Sequence, residues 1–307
     1  MSRYVLIATV LLTACNSRPR AIVPSGKPKP AIKVVTTLFP LYDMARYIGA
    51  DRAEVTLLLP PGVEAHSFEP RPSDIVKINQ ADIFIYTGKF MEPWAEDVIR
   101  SADNRKLIVV DASQGTAMIP GVFHDKDEPP GSLDPHIWLD FDNAKVMAGN
   151  ITRAFDSADR ADQALFARRQ AEYDNRLSDF DSLYRTALAT CKTREIVYGG
   201  HYAFGYLAKR YGLNYLAAQG ISPDAEPTAS DLSRMVDQIR KDNVRYVFYE
   251  ELTSPKIAQT IAGETGARLL LLNAAHNVSR NQFDHGITYF DILQANLDNL
   301  KIGLECR

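Results

Sequence analysis

The sequence predicts an α/β protein built as two lobes, each a parallel sheet covered by helices, with a long helical segment between them. Three observations carry this expectation. Short β-rich apolar runs alternate with helical patterns from Ile32 to Val110, and the same alternation returns from Glu195 to Leu272. Between them, Asn143 to Leu188 holds no proline and a single glycine, Gly149, with apolar residues at helical spacing. A chain of 307 residues, 46% hydrophobic and 24% charged, is long enough to bury two cores of ordinary size.

The elements follow in order. Residues 1–15 begin with Arg3, an apolar run from Tyr4 to Leu12, and then Thr13-Ala14-Cys15. The run is too short to span a bilayer, which takes roughly 20 apolar residues, and it has the basic start, apolar centre and small-residue exit of a secretory signal. Leu12-Thr13-Ala14-Cys15 resembles a bacterial lipobox, which makes Cys15 the expected lipidation site; a buried helix with a chance cysteine is the plainer alternative. Residues 16–30 carry four prolines and several basic residues, and read as an extended tether.

Residues 31–142 form the first lobe. Strands are expected at Ile32–Thr37, Glu54–Leu59, Asp82–Tyr86 and Leu107–Val110, and helices at Leu41–Ile48, after Pro72-Ser73-Asp74, and at Met91–Ser101. Residues 143–190 are one long helix, or two in series with a break near Asp159 and Asp162, and are too apolar for a solvated spacer. Residues 191–307 form the second lobe. Its strands are expected at Glu195–Tyr198, Leu213–Ala218, Arg245–Tyr249 and Arg268–Leu272. Its helices are expected at Tyr202–Tyr211, at Ser230–Lys241 with Ser230 as cap, at Pro255–Thr265 and at Thr288–Ile302. The β-α-β rhythm makes both sheets parallel and Rossmann-like.

Charge and cysteines bound the function. Lys+Arg (35) nearly cancels Asp+Glu (38), and no basic stripe offers nucleic acid a footprint. If Cys15 carries lipid, Cys191 and Cys306 remain in a compartment that permits disulfides. Pairing them would pin the C-terminus to the second lobe and stabilise by roughly 4 kcal/mol in the chain-entropy model; two free buried thiols are the alternative.

The six histidines carry the chemistry. His66 lies in the loop after the second strand and His136 in the loop region after the fourth, while His201 and His276 follow the first and last strands of the second lobe. Open α/β sheets place their ligand crevices past the carboxyl ends of strands, so imidazoles from the two lobes can converge on one cleft. Neutral imidazole is the commonest protein ligand for zinc-like ions. Pro60-Pro61-Gly62, Pro70-Arg71-Pro72, Pro135 and Gly199-Gly200 stiffen or turn the loops that carry the rings. Taken singly, each histidine fits a hydrogen-bonded structural role equally well. His124, beside Asp125, Asp127 and Glu128, and His285 read as solvated residues.

These residues resemble the metal-binding lipoproteins of ABC importers for zinc and manganese. The resemblance runs through Leu59-Pro60-Pro61-Gly62-Val63-Glu64-Ala65-His66-Ser67-Phe68-Glu69-Pro70, Asp134-Pro135-His136-Ile137-Trp138-Leu139-Asp140, His201-Tyr202-Ala203-Phe204-Gly205-Tyr206 and Glu264-Thr265-Gly266-Ala267. It implies two α/β lobes joined by a long rigid helix, a metal site in the cleft, and His66, His136 and His201 as three ligands. The family's acidic fourth ligand is missing: Asn273 stands at that position and His276 lies three residues on. His276 is the expected fourth ligand, because imidazole is the better donor to a borderline ion; Asn273 marks the alternative position, with water completing the site.

Manganese members tend to place a carboxylate where this chain has His201, which favours Zn2+ over Mn2+, with nickel, iron and cobalt left open. The short His124–Glu128 segment, in place of a long histidine-rich loop, points the other way. The resemblance implies a monomeric, extracytoplasmic, membrane-anchored solute-binding protein of the periplasm or cell surface, no enzyme, that hands its ion to an ABC permease. Because bound imidazoles are neutral, affinity is expected to fall below about pH 6.5. Two other readings remain. A zinc hydrolase would need an open metal position and a base such as Glu64, Asp140 or Glu250; a surface adhesin is permitted by the resemblance alone.

Overall fold

The computed structural model describes residues 31–121, 131–221, 223 and 227–307. The expected signal segment with Cys15, the tether and His124 lie outside the described residues. The first lobe runs β1 (Ile32–Thr36), α1 (Phe39–Gly49), β2 (Ala53–Leu57), α2 (Pro72–Asn79), β3 (Ile83–Tyr86), α3 (Ala95–Ser101) and β4 (Ile108–Asp111). Two helices in series follow, α4 (Phe141–Ala158) and α5 (Gln163–Leu188). The second lobe comprises β5 (Glu195–Tyr198), α6 (Gly205–Tyr211), β6 (Asn214–Ala217), α7 (Ala229–Asp242), β7 (Tyr246–Tyr249), α8 (Lys256–Thr265), β8 (Arg268–Leu271), α9 (Arg280–Asp284) and α10 (Tyr289–Gly303).

Both sheets are wholly parallel and share one topology, β2-β1-β3-β4 and β6-β5-β7-β8. The strands next to the centre are apolar on both faces, as helix-covered parallel strands must be: every side chain of β3 is buried. The carboxyl ends of both sheets therefore deliver their loops to one place, the groove between the lobes.

Several boundaries differ from the sequence expectation for local reasons. α3 begins at Ala95 and not at Met91, because Pro93 interrupts the turn and the Glu92 carboxylate folds back to accept the backbone N–H groups of Thr87 and Gly88 at 3.1 and 3.0 Å. α7 is capped by Thr228 and not by Ser230: Thr228 Oγ1 accepts from Asp231 N, and the Asp231 carboxylate reaches back to Thr228 N. The chain breaks between α4 and α5 where Asp159 accepts from Ala161 N at 3.1 Å, and Arg52 reaches over from the first lobe to Asp162 at 2.7 Å and Asp159 at 3.4 Å. His285 ends the short helix α9, a turn ahead of α10, with its Nδ1 2.7 Å from Asn281 O on the surface.

The largest of three apolar clusters joins the parts, the other two lying on the outer faces of the sheets. It passes without a gap from Val34 and Ile83 through Phe155, Phe166, Tyr173 and Tyr184 of the two central helices to Tyr198, Phe248 and Leu293. Arg210 on α6 adds a polar clasp, meeting Asp181 of α5 at 2.8 Å and both Asp140 and Asp142 at the start of α4 at 3.0 and 2.9 Å. A disulfide links Cys191, just past α5, to Cys306.

Candidate metal centre

His66, His136, His201 and His276 come together between the lobes, with one ring nitrogen from each lying within 4.8 Å of the others. His136 Nε2 is 3.3 Å from His66 Nε2 and 3.2 Å from His201 Nε2, and His201 Nε2 is 3.3 Å from His276 Nε2. Four nitrogens bound to one tetrahedral zinc at about 2.0–2.1 Å stand at the corners of a tetrahedron with edges of about 3.3–3.4 Å. The observed spacings match that figure.

The backbone sets each ring. His201 follows β5 through Gly199-Gly200, and glycine is required at both positions by close neighbours: a Cβ at Gly199 would lie 2.7 Å from the Ala258 Cα, and one at Gly200 would meet the Glu250 side chain. His136 precedes a single 3-10 turn, Ile137–Leu139, that leads into α4, whose first N–H groups are capped by Asp140. His276 sits past β8 after Ala275, which holds a left-handed φ of 63°. His136 and His201 are fully buried and His276 nearly so, while His66 keeps partial access to the surface.

Carboxylates behind the rings orient two of them. Asp134 Oδ1 lies 2.7 Å from His136 Nδ1 and accepts the His136 backbone N–H at 3.0 Å. Glu250 Oε1 lies 2.7 Å from His201 Nδ1, and its Oε2 accepts the His201 N–H at 3.2 Å. At His136 the acid bonded to Nδ1 holds the proton there and turns the Nε2 lone pair to the centre, while at His201 Glu250 stands close to Nδ1 without an aligned hydrogen bond. Glu251 stands further from His276 Nδ1, at 3.9 Å. Burial, reinforced by the neighbouring imidazoles, lowers the pKa of His136 and His276 well below the usual value and takes His66 down to about 3. Burial followed by the nearby Glu250 raises Glu251 to about 8. Burial thus favours the neutral form of His66, His136 and His276, the form a metal ligand requires.

Asn273 is not in the cluster. Its Oδ1 accepts Ala275 N at 2.7 Å, so its side chain is spent on the turn that presents His276. Asp140 is absorbed by its cap and by Arg210, and Glu250 by His201. Trp138 is the neighbour that sequence reasoning missed: its ring meets those of His136 and His276 edge to face, with centroids 5.5 and 5.3 Å apart, and its Nε1 donates to Ala274 O at 2.8 Å. The carboxylates Asp134 and Glu251 were also unassigned, and Glu250 was named as a candidate base and not as a partner of His201. Asp134 stood two residues before His136, and the Glu pair at the end of β7, where position past a strand end was the available signal.

The chain matches, over residues 34–303, the ZnuA family, described as the zinc-uptake complex component A, periplasmic. It is 36% identical over 310 residues to the high-affinity zinc uptake system protein ZnuA of Bacillus subtilis, covering 98% of this chain and 96% of that protein. It is 30% identical to the zinc-binding lipoprotein AdcA of Streptococcus pneumoniae over 96% of this chain, and it spans 59% of that longer relative. The Zn(II)-bound ZnuA-like domain of AdcA superposes with a TM-score of 0.77 at 29% identity, covering 90% of this chain and 100% of the domain. The laminin binding protein Lmb of Streptococcus agalactiae, described as having adhesin and metal transporting activity, gives a TM-score of 0.80 at 30% identity, covering 89% of this chain and 100% of Lmb.

Proposed function

The chain belongs to the ZnuA family of zinc-uptake components, and on that premise we propose that it is an extracytoplasmic solute-binding protein that captures Zn(II) and delivers it to an ABC importer. The four convergent imidazole nitrogens carry the reading: all lie within 4.8 Å of one another, and the contacts His66–His136, His136–His201 and His201–His276 are 3.2 to 3.3 Å, a spacing that suits a tetrahedral ion with nitrogen donors. His66, His136, His201 and His276 are the proposed ligands, with Asp134 and Glu250 as the groups that hold two of them. Manganese, which prefers oxygen donors and higher coordination, is the next candidate and fits this donor set less well. Cys15 is the proposed lipid attachment point, in keeping with the description of AdcA as a lipoprotein. The permease is the proposed partner, and the protein acts as a monomer.

A hydrolytic zinc needs a coordination position open to water. Four convergent imidazoles leave none, which supports a carrier and not an enzyme. The likeness to Lmb favours one second reading, adhesion to laminin, and surface-immobilised laminin would test it directly.

The deciding experiment is native mass spectrometry of the full chain purified without chelator and then exposed to competing Zn(II), Mn(II), Ni(II) and Co(II). One zinc per chain is expected, retained against manganese, and lost in His136→Ala and His201→Ala. A chain that takes no ion, or that takes zinc equally well after both substitutions, overturns the reading.

A further inference from the structure

The loops that carry His66 and His276 meet at the mouth of the site, and they are anchored in different ways. The His276 loop is fixed largely from its own lobe, with Phe39 N–H of the first lobe donating to His276 O at 3.0 Å. Asn296 on α10 brackets Asn273, donating Nδ2 to the Asn273 carbonyl at 2.7 Å and accepting the Asn273 N–H at 2.8 Å. The two oxygens of Glu251 accept Ala274 N–H at 3.0 and 3.1 Å, and the Asn273 side chain closes on Ala275 N–H. The left-handed turn at Ala275 is held by these bonds together, and Trp138 Nε1 pins the Ala274 carbonyl from the other lobe.

The His66 loop has no comparable set. Inside the loop, Val63 N donates to Pro60 O, and Glu64 accepts from both the N–H and the hydroxyl of Ser67. Apart from the His66 ring and the local turn bond from Phe68 N to Ala65 O at 3.3 Å, the hydrogen bonds that leave residues 60–67, among the described residues, run to two residues of the second lobe. Asn277 Nδ2 donates to Pro60 O and to Val63 O, each at 2.8 Å, and Gly62 N donates to Val278 O at 2.8 Å. Asn277 is 1% exposed, and its Oδ1 is occupied by Val278 N at 2.9 Å. Gly62 reaches its bond through a φ of 88°; a Cβ there would touch nothing, so glycine is needed for conformation and not for room. Beside this junction lies a small opening lined by Val63, Glu64, Glu250, Glu251, Leu252 and His276.

We propose that Asn277 is a latch, a positioning residue that holds the His66 loop closed across the cleft and so sets how fast the bound ion leaves. The proposal rests on the zinc-capture reading above. One amide side chain, adjacent to a ligand of the second lobe, grips two carbonyls of the loop that carries a ligand of the first. Release proceeds by freeing the His66 loop, whose fastening is concentrated at residues 277 and 278, while the His276 loop stays in place on Asn296 and Glu251. In this reading the His66 loop, and not the loop of His276, is the one that moves at handover.

The test uses the zinc-loaded full chain with Asn277→Ala and Asn277→Asp. Aspartate keeps the size but donates nothing to the two carbonyls. Zinc release into excess chelator is followed by stopped flow, with equilibrium affinity and amide hydrogen exchange measured alongside. Release is expected to quicken about tenfold or more in both variants, as the loss of two cooperating hydrogen bonds implies. The Gly62 amide should lose protection while the Asn273 and Ala274 amides keep theirs, a pattern that general loosening would not produce. Unchanged release in a folded variant, or equal loss of protection in both loops, overturns the latch. If neither variant folds, the wild-type chain decides: as zinc leaves, Gly62 must exchange before Asn273, and simultaneous exchange overturns the proposal. A wild-type chain that binds no zinc sinks the functional reading instead.

Discussion

At the scale of single residues, the proposed site would be a contest between protons and metal for the same lone pairs. Free imidazoles protonate near about pH 6.5, and a histidine site is therefore expected to weaken below that value. Burial and the crowding of like rings move the onset down for three of the four: His66 titrates near 3, and His136 and His276 lie well below their usual range. The sign is that of a group whose folded pKa is depressed below its unfolded one. Between the two values the unfolded chain takes up the proton and the fold does not, so these rings cost the metal-free fold stability as the pH drops below about 6.5. The metal meets little proton competition from them over the same range. Zinc affinity is expected to change by less than about tenfold between pH 7.5 and 6 and to collapse as the pH nears the His66 value of about 3, by chelator competition at stepped pH. A steep loss between pH 7 and 6 would mean that the rings titrate as free imidazoles. The histidines were legible in the sequence because position past a strand end is a property of order along the chain. Asp134, Glu250, Glu251 and Trp138 were not, since which acid or ring stands behind a histidine depends on how loops distant in sequence are brought together.

At the scale of elements, the joints matter more than the lengths. The break between α4 and α5 was readable at Asp159 and Asp162, but the reason it stays fixed, Arg52 arriving from the turn after α1, was not. The same holds for Arg210, which gathers α4, α5 and α6 at one point through Asp140, Asp142 and Asp181. Its guanidinium holds the Asp181 carboxyl well below the usual carboxylate range, with Tyr211 adding a hydrogen bond at 2.8 Å. Arg210→Met is expected to lower stability by about 2–3 kcal/mol, because it leaves Asp181 and Asp140 without the charge that compensates them. Chemical denaturation would read this as a lower midpoint at unchanged slope, and a loss under about 0.5 kcal/mol would place the pair among surface contacts of little consequence. Where the sequence misjudged an element, as at α3 and α7, a side chain bonding to the backbone had replaced the helical or capping bond that propensity favours.

At the scale of the molecule, the two lobes are alike in topology yet do not behave as separate bodies. Their apolar interiors are continuous through Phe155, Phe166, Tyr173 and Tyr184, and opening a wide hinge would expose part of that interior to water. The proposed loop release at the cleft mouth agrees with that continuity better than a swing of one lobe against the other. Small-angle scattering of the metal-free and zinc-loaded chain is expected to give radii of gyration that agree within a few tenths of an ångström. A contraction of about 1 Å or more on loading would reinstate large-scale closure, of the kind hinge proteins show.

The sequence by itself determined the periodicity of strands and helices, the doubling of the lobe, the helical segment between them and the candidate ring donors, because each is written in local order and spacing. Only the tertiary structure decided that four imidazoles share one centre, that Asn273 serves a turn while His276 faces the cleft, that Asn277 ties the His66 loop to the His276 loop, and that one apolar cluster runs through both lobes. Those outcomes depend on residues such as Val63 and Asn277, or Arg52 and Asp162, which lie far apart along the chain and meet once both sheets are packed. Long-range packing, with its close-fitted side chains and obligatory hydrogen-bond partners, selects among alternatives that local propensity leaves equal.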